Sequence, residues 1–248
     1  MTTPAPSGPD ASALTLPEEL LLLTLDPERG KPLCDRTHLR YGTAGAVLAE
    51  LELQGRIREE RGRVQVVNPL DPAHPLLASL LGTLDPPSAK KKRFRPGTSA
   101  KAWIRMYGRN AEERHLDHLV ERGVLRREHR RFLGLFPYQR HFPGDPDLTG
   151  ATRWRFGQAE ARGFPDQRSR ALAGLVSATG LAGTLTTAGR EGRSAMKTVR
   201  RAHWFAAAVH HNVRQNQSSG GSGDGGSGDG GSGWGDGGGG GCGGGGGD

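Results

Sequence analysis

The residues in this 248-residue chain that could bind a metal or move a proton are led by nine histidines. His115 and His118 stand three apart, on one face of any helix that carries them, whereas His210 and His211 are adjacent and point to different faces. Two imidazoles are half of a zinc site. No third ligand is implied by this spacing, so solvated or packed histidines are expected and no metal is implied. The two cysteines, Cys34 and Cys242, have no metal-binding or disulfide spacing, and no motif around Cys34 supplies an activating base. Gly42-Thr43-Ala44-Gly45 is half of a phosphate loop without its lysine or third glycine, and is read as a point of close helix packing. Glu18-Glu19 and Glu59-Glu60 are adjacent carboxylates, better suited to a helix start and an exposed hairpin than to acid–base work. No Gly-x-Ser-x-Gly elbow occurs. The chain is expected to be no enzyme and to need no cofactor.

The arginines say more. The formal charge is +8, and between Ser88 and Arg140 there are 15 Lys and Arg against 5 Asp and Glu. A basic zone of this density calls for an anionic partner, lipid headgroup or nucleic acid. Arg105 and Arg109, four apart, share a helix face. Arg126, Arg127, Arg130 and Arg131 lead straight into the apolar run Phe132 to Phe136. Arginine grips phosphate with paired hydrogen bonds, each Lys or Arg near an anionic leaflet contributes about 1 kcal/mol, and inserted aromatics add apolar burial.

Residues 1–13 are rich in Pro, Ser and Ala and are expected to form a disordered leader. Residues 217–248 are a Gly, Ser and Asp tail holding 20 of the 40 glycines, with almost no apolar surface to offset about 1–2 kcal/mol of backbone ordering per residue. Between them lies one domain, residues 14–216. Thr15 with Glu18 three residues on forms a capping box before Leu20, Leu21, Leu22, Leu23 and Leu25, and the helix stops at Asp26-Pro27-Glu28-Arg29-Gly30. A helix over Thr37 to Gln54 ends at Gly55. A hairpin follows, with Ile57 and Val64 to Val67 flanking a turn at Glu60 to Arg63. Leu76 to Leu84 repeat at helical spacing, and a helix from about Ser99 to Glu121 ends at Gly123. The offsets Leu48, Leu51, Gly55, Ile57 recur as Leu116, Leu119, Gly123, Leu125, so helix, glycine stop and hairpin are read twice. The second hairpin is expected through Arg131 to Phe136, turning near Pro137 to Pro143 with Phe136, Tyr138 and Phe142 near its tip. Helices over Asp166 to Leu181 and Met196 to about Val213 complete a mainly α, helical-bundle domain with β-hairpins.

The run Leu16-Pro17-Glu18-Glu19-Leu20-Leu21-Leu22-Leu23-Thr24-Leu25-Asp26, with Leu48-Ala49-Glu50-Leu51-Glu52-Leu53-Gln54-Gly55-Arg56-Ile57, resembles the Golgi phosphoprotein 3 family. So do Arg109-Asn110, Leu119 to Leu125, Phe132-Leu133-Gly134-Leu135-Phe136 and Arg170 to Val176, in order and spacing. The resemblance implies a helical domain that binds phosphatidylinositol 4-phosphate at a basic pocket and inserts an apolar hairpin into the cytosolic leaflet. It also implies cytosolic tails of membrane enzymes as protein partners, and a peripheral place on the cytoplasmic side of a membrane, the Golgi in a eukaryote. The abundance of Arg over Lys, with Ala, Gly and Pro, fits a bacterial member. Arg109 matches one headgroup arginine of the family, and Arg105, Arg40 and Arg36 are expected beside it. The pocket tryptophan falls on Asp35, the first-helix arginine on Ala44 and the second long-helix arginine on Glu112. Arg130, Arg131, Phe132, Leu135, Phe136 and Tyr138 are the expected membrane-contacting hairpin residues.

The rival reading is a winged-helix nucleic-acid binder, since helix, glycine and hairpin on a basic surface also suit that module. A recognition helix would present several basic or amide side chains. Thr37 to Gln54 offers chiefly Arg40 and Gln54, and Ser99 to Glu121 interleaves Glu112, Glu113, Asp117 and Glu121. An anionic, phosphoinositide-like phospholipid is therefore the expected partner, and nucleic acid is not.

Overall fold

The structure is a computed structural model that describes residues 14–84, 97–132 and 136–219, with Phe132, Phe136, Pro137 and Ser219 described by backbone alone. The leader 1–13, the basic run 90–95, Leu135 and the tail from 220 lie outside these residues. The chain is mainly α, with small antiparallel sheets.

The N-terminal cap forms as its spacing requires. The Thr15 backbone N–H and hydroxyl both donate to Glu18 Oε2, at 2.7 and 2.8 Å, starting α1 (Leu16–Thr24). Leu16, Leu20, Leu22 and Leu23 are fully buried, because a helix apolar on every side belongs in a core. The turn after it closes a small two-stranded ribbon, β1 (Leu25–Asp26) with β2 (Lys31–Pro32), which periodicity over two residues does not announce. Asp35 caps α2 (Arg36–Leu53), accepting from the Thr37 and His38 N–H groups at 2.8 and 3.3 Å.

Helix α2 is the hub of the bundle. It is buried from Gly42 to Leu51 and packs on α1 and on the long and C-terminal helices named below. The expected close packing at Gly42 and Gly45 is there: a Cβ on Gly42 would stand 2.5 Å from Thr179 Cγ2, and one on Gly45 2.3 Å from Val209 Cγ2. Because α2 is enclosed along this length, it has no face to lay in a nucleic-acid groove.

The two helix–glycine–hairpin units are real and end alike. After α2, Arg56 N–H donates to Leu51 O at 2.9 Å with Gly55 at φ 65°. After the long helix α4 (Ala100–Glu121), Val124 N–H donates to Leu119 O at 2.9 Å with Gly123 at φ 72°. Both are left-handed glycine caps closing a six-residue loop of backbone. The first hairpin pairs β3 (Ile57–Glu60) with β4 (Arg63–Val66) across Arg61 and Gly62, both at positive φ. A third strand, β5 (Thr98–Ser99), adds to β4 ahead of α4, and α3 (Pro75–Leu81) lies between them in sequence.

The second hairpin departs from expectation. Strand β6 (Leu125–Phe132) begins directly after the cap and pairs along its whole length with β7 (Phe136–Pro143). The pairing runs out to Phe132 opposite Phe136, and Phe142 lies at the base opposite Arg126. The strand was hidden because nearly every residue from Arg126 to Arg131 is charged or polar, which erases the apolar alternation that marks a half-buried strand.

The C-terminal half holds more helices than expected. Asp147 caps α5 (Leu148–Ala161), a helix with too few regularly spaced apolar residues to be read from the sequence. Next come α6 (Gln167–Ala178) and α7 (Ala182–Leu185). The expected single helix from Met196 is two: α8 (Gly189–Ala202) and α9 (Trp204–Ser219). The break is at His203, whose φ −109° and ψ 120° are extended.

Candidate functional site

The arginines singled out on α2 and α4 meet at one buried carboxylate. Glu112 is fully buried, and its two oxygens accept from Arg40 Nε at 3.0 Å and Arg36 Nε at 3.3 Å. Arg40 is mostly covered and Arg36 is 60% exposed in its side chain. The helices cross tightly here, with a Cβ on Gly108 falling 3.1 Å from Arg40 O. Arg109 is on the exposed side of α4 and donates to Glu113 at 2.8 Å, which raises its pKa. Arg105 lies one turn earlier and donates to Gln215 of α9 at 2.7 Å. So Arg36 and Arg40 are brought together, and Arg105 and Arg109 run along the neighbouring surface.

Beside Glu112 is a cleft of about 80 Å³ bounded by Gly30, Lys31, Arg36, Gln139 and His141. It has room for two or three waters, and a carboxylate at its floor. Ala44 is fully buried in α2, and Asp35 spends its carboxylate on the α2 cap. Asp35, Ala44 and Glu112, the positions where the sequence departs from the resemblance, therefore each have structural employment in this chain. His141 is held as neutral imidazole down to about pH 4, chiefly by burial and then by the Arg127 and Arg36 charges. Cys34 lies partly buried near the same carboxylate, and burial pushes its thiol up to about 12, which removes it as a nucleophile.

The β6–β7 hairpin sorts its side chains by the two-residue period of a strand. One face carries Arg126, Glu128 and Arg130 on β6, opposite Phe142, Arg140 and Tyr138 on β7. The guanidinium of Arg130 lies 5.5 Å and that of Arg126 5.8 Å from the Phe142 ring centroid, and that of Arg140 lies 5.0 Å from Tyr138. These are cation–π distances. Glu128 is the one carboxylate in this set of six, bonded to Arg130 at 2.9 Å and 3.6 Å from Arg126. The other face carries Arg127, His129 and Arg131, with Arg127 paired to Asp117 of α4. Arg130 and Tyr138 thus share a face, and Arg131 is on the opposite one. Leu135 lies outside the described residues, as do the side chains of Phe132 and Phe136. Arg140 was not singled out in the sequence; its signal was its register, legible only once the strand pairing is known.

A second constellation joins residues the sequence keeps far apart. Glu18, completely buried at the start of α1, faces His74 Nε2 at 3.6 Å and His118 Nε2 at 3.9 Å, and accepts from Arg122 at 3.2 Å. Burial alone would raise Glu18, but the neighbouring His74 imidazole and the two Thr15 donors outweigh it and hold the carboxyl at about 2. His115 is fully buried, donates its Nδ1–H to Ala111 O (2.7 Å), and is lowered to about 4, first by that burial. The spacing implied no third ligand, yet the fold brings a carboxylate to these histidines. Glu18 arrives from 97 positions away along the chain from His115, and it is more than helix-start charge.

Among the described residues, no helix is long and apolar enough to cross a membrane. Comparison with curated proteins returns no match. The family model for Golgi phosphoprotein 3 (GPP34) matches residues 16–216. That span runs from the first residue of α1 into α9 and takes in both helix–glycine–hairpin units, so the chain belongs to the Golgi phosphoprotein 3 family.

Proposed function

We propose that this chain is a peripheral membrane protein that docks on acidic phospholipid headgroups, with no bond made or broken. The observation that carries the reading is the hairpin face of Arg126, Arg130 and Arg140 interleaved with Tyr138 and Phe142, with Glu128 as its single acid. Guanidinium groups over aromatic rings suit the headgroup layer, where phosphate meets the first apolar carbons. Family membership supports a phosphoinositide as the lipid and the cytosolic face of a membrane as the place. The small, carboxylate-floored cleft at Glu112 favours recognition across a surface over capture in a deep pocket. Arg36, Arg40, Arg105 and Arg109 add positive charge alongside.

Vesicle flotation tests this. The protein is expected to float with vesicles containing phosphatidylserine or phosphatidylinositol 4-phosphate and to stay behind with phosphatidylcholine alone. The R126Q/R130Q/R140Q variant should bind roughly 100-fold more weakly, at about 1 kcal/mol per arginine. Recovery should fall as salt rises through 0.15 M, where exposed charges are screened beyond about 8 Å. Equal recovery on neutral vesicles, or a triple variant that binds as the wild type does, would sink the reading. Stronger binding to phosphatidylinositol 4-phosphate than to phosphatidylserine at matched charge would establish headgroup selectivity.

A further inference from the structure

We propose that Glu18, His74 and His118 form a binding site for a divalent transition-metal ion of the zinc type, with the Arg122 guanidinium competing for the same carboxylate oxygen. The site is independent of the lipid-docking face and of the reading built on it. Three elements supply it: the first turn of α1, the residue that caps α3, and the last turn of α4.

Both Thr15 donors are spent on Glu18 Oε2, which leaves Oε1 directed at the two imidazoles. Each histidine presents Nε2, and the three ligand atoms all lie within 4.8 Å of one another. A zinc ion with bonds of about 2.0–2.2 Å brings tetrahedral ligand atoms to roughly 3.4 Å apart. The contraction required is small, and His74 and His118, at 16% and 24% side-chain exposure, have room to make it.

His118 turns its other nitrogen, Nδ1, toward Glu121 at 3.9 Å, while His74 has no other occupation. Neither ring nitrogen of His74 has a hydrogen-bond partner, nor does Nε2 of the fully buried His115. His115 stacks parallel to His74 with centroids 6.1 Å apart, and His118 meets His74 edge-on at 4.8 Å. A buried polar atom without a partner is unfavourable, and coordination would recover that loss at His74. Two imidazole nitrogens and one carboxylate oxygen select zinc, cobalt or nickel over calcium and magnesium, which require more oxygen ligands. Arg122 is partly exposed and can yield Oε1 by turning toward solvent.

The test uses the full chain without a polyhistidine tag, freed of metal with a chelator that is then removed. Zinc is titrated calorimetrically, and cobalt is titrated by visible absorption. One ion per chain is expected, with binding at least tenfold weaker in H74Q and in H118Q. Removing a unit charge next to the ion should make R122Q bind about tenfold tighter. A dissociation constant above roughly 1 mM for the wild type would overturn the proposal, as would zinc binding that persists unchanged in H118Q. If H74Q fails to fold by circular dichroism, H118Q and the cobalt spectrum decide: visible bands that survive in H118Q place the ion elsewhere, for instance at Cys242, and overturn the site.

Discussion

Glu112 sets the charge of the α2–α4 surface from inside the protein. Its burial would be untenable without a partner, and it has two, Arg36 and Arg40. Both arginines reach solvent to some degree, so losing the carboxylate would not strand them as fully buried cations. Glu112→Gln is therefore expected to cost about 1–3 kcal/mol, below the 3–5 kcal/mol of a wholly buried pair, measured by urea unfolding. The same substitution adds one net positive charge beside the docking face and should increase flotation on anionic vesicles at low salt. Loss of stability without a gain in binding would separate this surface from the docking role. The role of Glu112 was half-visible in the sequence. Its place at a family arginine position stood out by counting, but its bonds reach 72 and 76 residues back along the chain, and no local rule supplies such partners.

At the scale of elements, glycines decide how the hairpins leave their helices. Gly55 and Gly123 adopt positive φ with open space where a side chain would go, so their requirement is purely conformational. Gly144 differs. It follows β7, and a Cβ there would meet Gly123 O at 1.9 Å, with Gly123 C and Val124 C at 3.0 Å. Gly55→Ala is expected to cost about 1 kcal/mol from backbone strain. Gly144→Ala should cost about 3 kcal/mol or more, because backbone has to shift, and thermal unfolding of the two variants compares them. Similar small losses in both would mean that the base of the second hairpin is looser than its contacts suggest. The caps were legible because helix, glycine and apolar pair recur at fixed offsets. Helix α5 and the break at His203 were not. The former has no clean apolar stripe, and the latter is an extended residue between two helices with no proline or glycine to mark it.

For the whole molecule, acid is the expected route of unfolding. His115 and His141 each titrate near 4 in the fold against an ordinary imidazole value of 6.5, so the unfolded chain binds more protons between those values. Stability should accordingly fall as pH drops from about 6.5 to 4, by roughly 3 kcal/mol for the fully buried His115, and by less for the part-exposed His141. Glu18, held at about 2 against 4.5, adds a further loss below pH 4.5. Glu19 and Glu52, raised by burial, offset some of it. Urea midpoints at pH 7 and 4.5 in chelator measure the slope, and His115→Gln should flatten it. An unchanged slope would show that His115 titrates alike in the folded and unfolded chain. The three-residue spacing of His115 and His118 was plain in the sequence, whereas their convergence with His74 and Glu18 is a product of tertiary packing alone. Finally, β6 and β7 each run eight residues, about 27 Å of ribbon, rooted in the bundle against α4 and the β1–β2 turn. An arginine or aromatic recurs at every second step along one side of that ribbon, so the proposed adhesion would not hinge on a single angle of approach. The protein could rock between flat sheet and curved vesicle while keeping some of those rungs engaged.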